Sequence, residues 1–166
     1  MAPAVTAVPP PLTLEPLTAD ADVSALADAL APAFHGEVSA ARDVLAQTVD
    51  LLARDPRPSP WGSYLAVEDG RPVGLCAFKA APDRKGVVEI AYMTFPAFEG
   101  RGHAGAMAAA LTGIAFAAGA PLVTAHTLPE ENASTRALLR NGFAFVGETI
   151  DPEDGLVWRW ERRCGT

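Results

Sequence analysis

Residues 98–105 read FEGRGHAG, and within them Gly100-Arg101-Gly102-His103-Ala104-Gly105 is a G-x-G-x-x-G between a strand-like and a helix-like run. Gly102 and Gly105 let the main chain approach a ligand closely, because no Cβ stands in the way. The first amides of a helix have no partner within it and carry the positive end of its dipole. A diphosphate can be held at such a corner by backbone alone, with Arg101 adding charge. The same spacing also suits a strand-to-helix turn that binds nothing, and the loop by itself does not separate the two readings. A dinucleotide loop is a poor match. That motif comes early in its domain and needs an acidic residue about 20 positions later. Here the loop stands at residue 100 of 166, and AAGAPLVTAH after it holds no carboxylate. No Gly-Lys-Ser/Thr follows, so the Walker pattern fails as well.

Acid–base chemistry has three candidates. Glu89 is the one ionisable group in the apolar run VVEIAYM, where burial would raise its pKa and suit it to accept a proton from an alkylammonium. The plain alternative is a glutamate on the solvated side of a strand. Its rivals are Glu153 in the turn DPEDG and His126 at the end of a strand. Asn132 and Ser134 sit where a helix begins and can cap it. No His, Cys and carboxylate cluster has metal-ligand spacing, so no metal is expected. Cys76, within VGLCAF, reads as a small core residue. Trp158 and Trp160 alternate with Arg159, which puts both indoles on one strand face, in core or interface packing.

These residues need a scaffold. Residues 1–11 are rich in Pro and Ala and read as a flexible tail, with one domain spanning 12–163. Leu12 to Leu17 alternates like a short strand. Thr18-Ala-Asp20 opens a helix through ADVSALADALAPAF, and a second runs from about Val38 to Arg54 until Asp55-Pro-Arg-Pro-Ser-Pro60 breaks it. Trp61–Glu68 and Pro72–Lys79 form a hairpin about Asp69-Gly70. Residues 87–95 give a further strand, Ala104–Ala118 a helix, and Pro121–Thr127 a strand. Residues 132–141 form a short helix, Phe143–Glu148 a strand, and Leu156–Glu161 the last strand after the turn Asp151–Gly155. The order is β-α-α-β-β-β-α-β-α-β-β.

The chain is 49% hydrophobic and 20% charged, which is globular rather than disordered. Thirteen Lys and Arg against twenty Asp and Glu leave net −7, which disfavours nucleic acid and anionic membranes and leans toward cationic partners such as amines. The N-terminus lacks a signal-peptide pattern and no segment reads as a membrane span, so a cytoplasmic protein is expected. On the same ground the sequon Asn132-Ala133-Ser134 is read as accidental.

Two stretches carry a family resemblance: VVEIAYMTFPAFEGRGHAGAMAAAL and HTLPEENASTRALLRNGFAFVGE. They resemble the GNAT superfamily of acetyl-coenzyme-A-dependent N-acetyltransferases. The second stretch, with Asn132, Ser134, Arg136, Gly142 and Phe143, and the tail DPEDGLVWRWER look like its ribosomal-protein-alanine N-acetyltransferase branch. The superfamily's phosphate signature, Gln/Arg-x-x-Gly-x-Gly/Ala, falls on Glu99-Gly100-Arg101-Gly102-His103-Ala104, with Glu99 as a departure whose side chain is expected to face solvent. The resemblance implies an α/β (α+β) single-domain fold, a mixed, mostly antiparallel sheet of about seven strands with about four helices. Strands four and five would splay so that the pantetheine lies between them. Backbone at Met93, Thr94 and Phe95 would bind the pantetheine, with an amide near Met93 facing the oxyanion. The amides of Arg101, Gly102, His103, Ala104, Gly105 and Ala106 would bind the pyrophosphate, and Asn132 the pantetheine. Leu138 stands where many members carry the tyrosine that protonates the leaving thiolate, and Ser134 is its expected substitute. The hairpin holding Glu153 can overhang the acceptor cleft. The implied activity is acetyl transfer to a small-molecule or peptide amine by direct attack in a ternary complex. A non-catalytic coenzyme A sensor on the same fold is the alternative. Apolar residues on the terminal hairpin would suit a homodimer.

Overall fold

The computed structural model describes residues 12–165; the expected flexible tail lies outside them. Seven strands form one sheet in the order β1-β2-β3-β4-β5-β7-β6. They are β1 (Thr13–Leu17), β2 (Ser63–Glu68), β3 (Arg71–Phe78), β4 (Val88–Thr94), β5 (Leu122–Thr127), β6 (Ala144–Asp151) and β7 (Gly155–Arg163). Neighbours are antiparallel except β4 and β5, which run parallel. Four helices complete the fold: α1 (Val23–Leu30), α2 (Val38–Arg54), α3 (His103–Ala117) and α4 (Ala133–Arg140). This is the architecture the resemblance implied, and no helix among the described residues is long and apolar enough to cross a membrane.

Local chemistry sets most boundaries. Helix α2 has the limits its periodicity predicts, because the Pro56, Pro58 and Pro60 cluster cannot continue it. Helix α1 starts later than Thr18-Ala-Asp20 suggested: the Asp22 carboxylate accepts the Ala25 N–H at 3.0 Å, while Thr18 donates to Asp20 in a separate turn. Its C-terminal end tightens into a 3₁₀ turn, Ala31–Phe34. Strand β6 runs past Glu148 to Asp151, since Thr149, Ile150 and Asp151 stay in register with Val157, Leu156 and Gly155. Phe145, Val146, Ile150 and Leu156 on this hairpin are exposed.

Each sheet face has its own core. On one face Val88, Ile90, Val123, Ala125 and Trp160 pack with Phe78 and with Met107, Ala108 and Leu111 of α3. On the other, Leu17, Leu65, Val67 and Phe95 pack under Leu30, Ala41 and Leu45 of α1 and α2. This second core does not extend over β5 and β7. Thr124, His126, Arg159 and Glu161, which share that face by register, are polar instead.

Gly74 on β3 is where β3, β4 and α3 meet most closely. A Cβ there would stand 2.7 Å from the Met93 carbonyl oxygen and 2.8 Å from the Met107 thioether. Met107 could rotate away, but the backbone oxygen cannot. Gly74→Ala is expected to destabilise the fold by about 1–3 kcal/mol through overpacking. A denaturant midpoint unchanged from the parent would show that β3 and β4 are not this tightly apposed.

Candidate active site

Strands β4 and β5 share three residue pairs, Val88–Val123, Glu89–Thr124 and Ile90–Ala125. Beyond Ile90 they part. Ala91 to Thr94 keep β3 on one side only, and the other side of β4 is an open edge. Which backbone groups face that opening follows from antiparallel alternation. Lys79 N–H donates to the Glu89 carbonyl at 2.9 Å, and Phe95 N–H to the Val73 carbonyl at 2.9 Å. The main-chain groups of Glu89, Ala91, Met93 and Phe95 therefore turn toward β3, and those of Tyr92 and Thr94 toward the opening. This corrects the expected pattern. The Met93 amide points away from the slot and the Phe95 amide is already used, which leaves Tyr92 and Thr94 to present N–H and C=O groups there. Phe95 is a core residue, its ring 4.9 Å from that of Phe34.

The open edge leads into the glycine loop. Residues 96–98 form a 3₁₀ turn, and Gly102, at φ +85°, is the N-cap of α3. The first bond of the helix runs from Ala106 N–H to the Gly102 carbonyl, so the N–H groups of His103, Ala104 and Gly105 have no intrahelical partner. A Cβ on Gly102 would meet nothing within 4 Å, so the space in front of it is free. Gly105 faces the other way: a Cβ there would touch Ala137 of α4 and Asn141, the residue that caps its C-terminal end, and its carbonyl accepts from Asn141 Nδ2 at 3.0 Å. The Cβ distances, 3.7 Å to Asn141 and 3.9 Å to Ala137, are ordinary contacts, so the packing of α3 on α4 leaves room for a side-chain carbon at this position. The His103 side chain is 2% exposed and unavailable to a phosphate. Its Nδ1–H donates to the Phe98 carbonyl at 3.1 Å and its Nε2 lies 2.5 Å from Glu68 Oε2, so it contributes only its backbone amide to the loop surface. Glu99 is exposed, as expected, and Arg101 lies over the Phe98 ring at 5.6 Å.

On the polar face of the fork, residues far apart in sequence converge. Glu89 Oε1 is 2.8 Å from His126 Nδ1, which is also 3.2 Å from Asp151 Oδ2. Lys79 Nζ lies 3.6 Å from both carboxylates. Glu89 is thus not the solitary apolar-bound carboxylate suggested by VVEIAYM: its side chain is 24% exposed and faces the Lys79 ammonium and the His126 ring. The backbone N–H groups of Glu153 and Asp154 both donate to Asp151 Oδ1 and, with Lys79 and His126, hold its carboxyl down at about 2. Burial disfavours the charge on Lys79, but four carboxylates, Glu89 foremost, outweigh it and raise its pKa. Ligand-type atoms of Glu89, His126 and Asp151 lie within 4.8 Å of one another, a convergence that sequence spacing did not reveal, and Lys79 supplies positive charge between the two acids. Glu153 itself is exposed, and its amide rather than its carboxylate serves this group. A cleft of about 230 Å³ beside the cluster is lined by Lys79, Asp83, Glu89, Thr124 and Arg159.

Across the fork, α4 begins with a capping box. Asn132 Oδ1 accepts from Thr135 N–H at 3.0 Å, and Thr135 Oγ1 accepts from Asn132 N–H at 2.9 Å. The box turns Ser134 toward β4, with its Oγ 3.0 Å from the Tyr92 hydroxyl. Trp158 and Trp160 share a face as predicted, and Trp160 donates to Thr127 at 3.1 Å.

The sequence profile described as the Acetyltransferase (GNAT) domain matches residues 11–144. The chain belongs to the GNAT acetyltransferase family. Solved structures agree on the GNAT fold. The Salmonella typhimurium acetyltransferase that modifies the N-terminal serine of a 50S ribosomal subunit protein superposes with a TM-score of 0.67 at 18% identity, over 92% of this chain and 94% of that one. Mycobacterium smegmatis RimJ, solved with CoA-disulfide, gives 0.69 at 18%, over 92% and 82%. Aminoglycoside acetyltransferase AAC(6')-Ib, solved with coenzyme A and kanamycin, gives 0.68 at 19%, over 93% and 95%. No curated protein sequence gives a significant match.

Within this GNAT domain, Leu138 is fully buried and offers no hydroxyl at the family's tyrosine position. The sequence reading did not single out Tyr92, Lys79 or Asp151. The signal for Tyr92 was present in the strand alternation, which puts it on the opposite face from Glu89. Lys79 and Asp151 reach the site only through sheet register, to which no local pattern points.

Proposed function

We propose that this GNAT domain transfers the acetyl group of acetyl-coenzyme A to the primary amine of a small molecule or peptide, by direct attack in a ternary complex. The observation that carries the reading is the fork itself: an open β4 edge that ends at the unpaired amides of α3, with the charged cluster on one side and the hydroxyls of Ser134 and Tyr92 on the other. Neighbours solved with coenzyme A support the cosubstrate.

The diphosphate would sit on the amides at residues 102–105, and the pantetheine along β4 on the groups of Tyr92 and Thr94. The acceptor would enter from the polar face beside the cleft lined by Glu89 and Thr124. An alkylammonium must lose a proton before it can attack. Glu89 and His126 act as one unit here: Glu89, which lines the cleft, offers its carboxylate for this proton, and His126 Nδ1, 2.8 Å away, holds that carboxylate in place. The neutral amine attacks the thioester carbon, and an N–H on the open edge of β4 stabilises the oxyanion. No cysteine is suited to carry the acetyl group. Cys76 is buried and its thiol pushed up to about 12, and Cys164 lies beyond the end of β7.

Incubating the protein with acetyl-coenzyme A and a panel of amines, including amino acids, polyamines, aminoglycosides and peptides with free N-termini, should release thiol with a subset of them. Calorimetry showing coenzyme A bound, but no thiol released with any amine, would replace the enzyme with a sensor.

A further inference from the structure

The contact between Tyr92 and Ser134 joins the two arms of the fork. Tyr92 lies on β4 past its last pair with β5, whereas Ser134 is in the first turn of α4, which follows β5. Their oxygens are 3.0 Å apart, and the phenol oxygen also lies 3.5 Å from the Ser134 carbonyl. Glu89, His126 and Lys79 lie on the opposite face of the sheet, so this pair is on the other side of the slot from the groups that receive the amine's proton.

We propose that Tyr92 supplies the proton that lets the thiol depart, handing it on through Ser134. The inference rests on the acetyl-transfer reading above. In the tetrahedral adduct the carbon–sulfur bond breaks and sulfur keeps the electron pair. Sulfur takes the Ser134 hydroxyl proton as Ser134 takes the Tyr92 proton, leaving a tyrosinate that water reprotonates. The nitrogen gives up two protons on the other face, one before attack and one as the adduct collapses, while the relay recovers one from water, so the turnover releases one proton overall. A serine hydroxyl alone is a weak acid, whereas a phenol ionises near 10 and is a far better source. Burial holds the Tyr92 phenol above that value, against the lowering effect of its bond to Ser134, so it stays loaded at neutral pH. The role that Leu138 cannot fill is thereby met from a different element, and Tyr92 acts as a positioning and relay residue behind Ser134.

The test compares Tyr92→Phe, Ser134→Ala, Ser134→Thr and the Tyr92→Phe/Ser134→Ala double variant with the parent, using an amine that the parent acetylates. Expected are kcat losses of about a hundredfold for Tyr92→Phe and Ser134→Ala, in the range for a lost general acid. The double variant should fall no further than the worse single one, since one relay is cut twice. Ser134→Thr, which keeps the hydroxyl, should recover most of kcat, and coenzyme A affinity by calorimetry should stay within about threefold throughout, as uniform binding is untouched. Full turnover in Tyr92→Phe, multiplied losses in the double variant, or a fall in kcat matched by lost coenzyme affinity would each overturn the relay. If the parent itself releases no thiol with any amine, it is the acetyl-transfer reading that fails, and the two failures are distinct.

Discussion

Glu89→Gln lowers turnover at pH 7 by about a hundredfold or more with every acceptor, while coenzyme A binds as before. The substitution keeps the size of the side chain and removes only its charge. Lys79 retains Asp151 as an ion partner, so the local fold is not left with an unpaired buried ammonium. What is lost is the carboxylate 2.8 Å from His126 Nδ1, and with it the pair's capacity to take a proton from the incoming ammonium. His126→Gln should cost a similar factor, and the two together little more than either, because they act as one unit. The pH dependence of kcat/KM is the deciding measurement. The limb that reports the base should shift or disappear in Glu89→Gln; an unchanged profile removes Glu89 from the chemistry.

Gly102→Trp abolishes coenzyme binding, and the physical reasons divide into two. Gly102 sits at φ +85°, where a side chain adds about 1–2 kcal/mol of backbone strain. That alone is tolerable, since no atom lies within 4 Å of where the Cβ would be. The indole must then occupy the free space in front of the amides of His103, Ala104 and Gly105, which is where a diphosphate would approach. Gly102→Ala separates the two effects, carrying the strain with little of the bulk. Thermal unfolding should therefore move modestly and alike in both variants, whereas calorimetry with coenzyme A should register weakened binding for Ala and none for Trp. Undiminished affinity in the Trp variant would put the diphosphate elsewhere.

Much of the scaffold could be read directly. Strict signals gave strict results: the proline cluster after α2, the Asp69-Gly70 hairpin and the Asn132 cap all act over a few residues, and sequence records such effects well. Boundaries failed where register overruled local preference. Residues 149–151 resemble the approach to a turn, yet remain in β6 because β7 holds them. The site divides the same way. The loop around Gly102 and the first turn of α4 are contiguous stretches and were visible. The gathering of Lys79, Glu89, His126 and Asp151 was not, since they come from four separate segments that meet only when the sheet forms. The misplacement of Met93 has a simpler origin: a strand tells which residues alternate, but not which set turns its amides toward the missing neighbour until one hydrogen bond fixes the phase.

The His103 strut carries a consequence for how tightly a nucleotide is held. By tying the first residue of α3 to Phe98 and to Glu68 at the end of β2, it clamps the corner at both ends before any guest arrives. A receptor already in its final shape loses little configurational freedom on docking. This chain has an acid, Glu99, at the first position of the signature described above, and a corner set in advance would lessen what that position has to contribute.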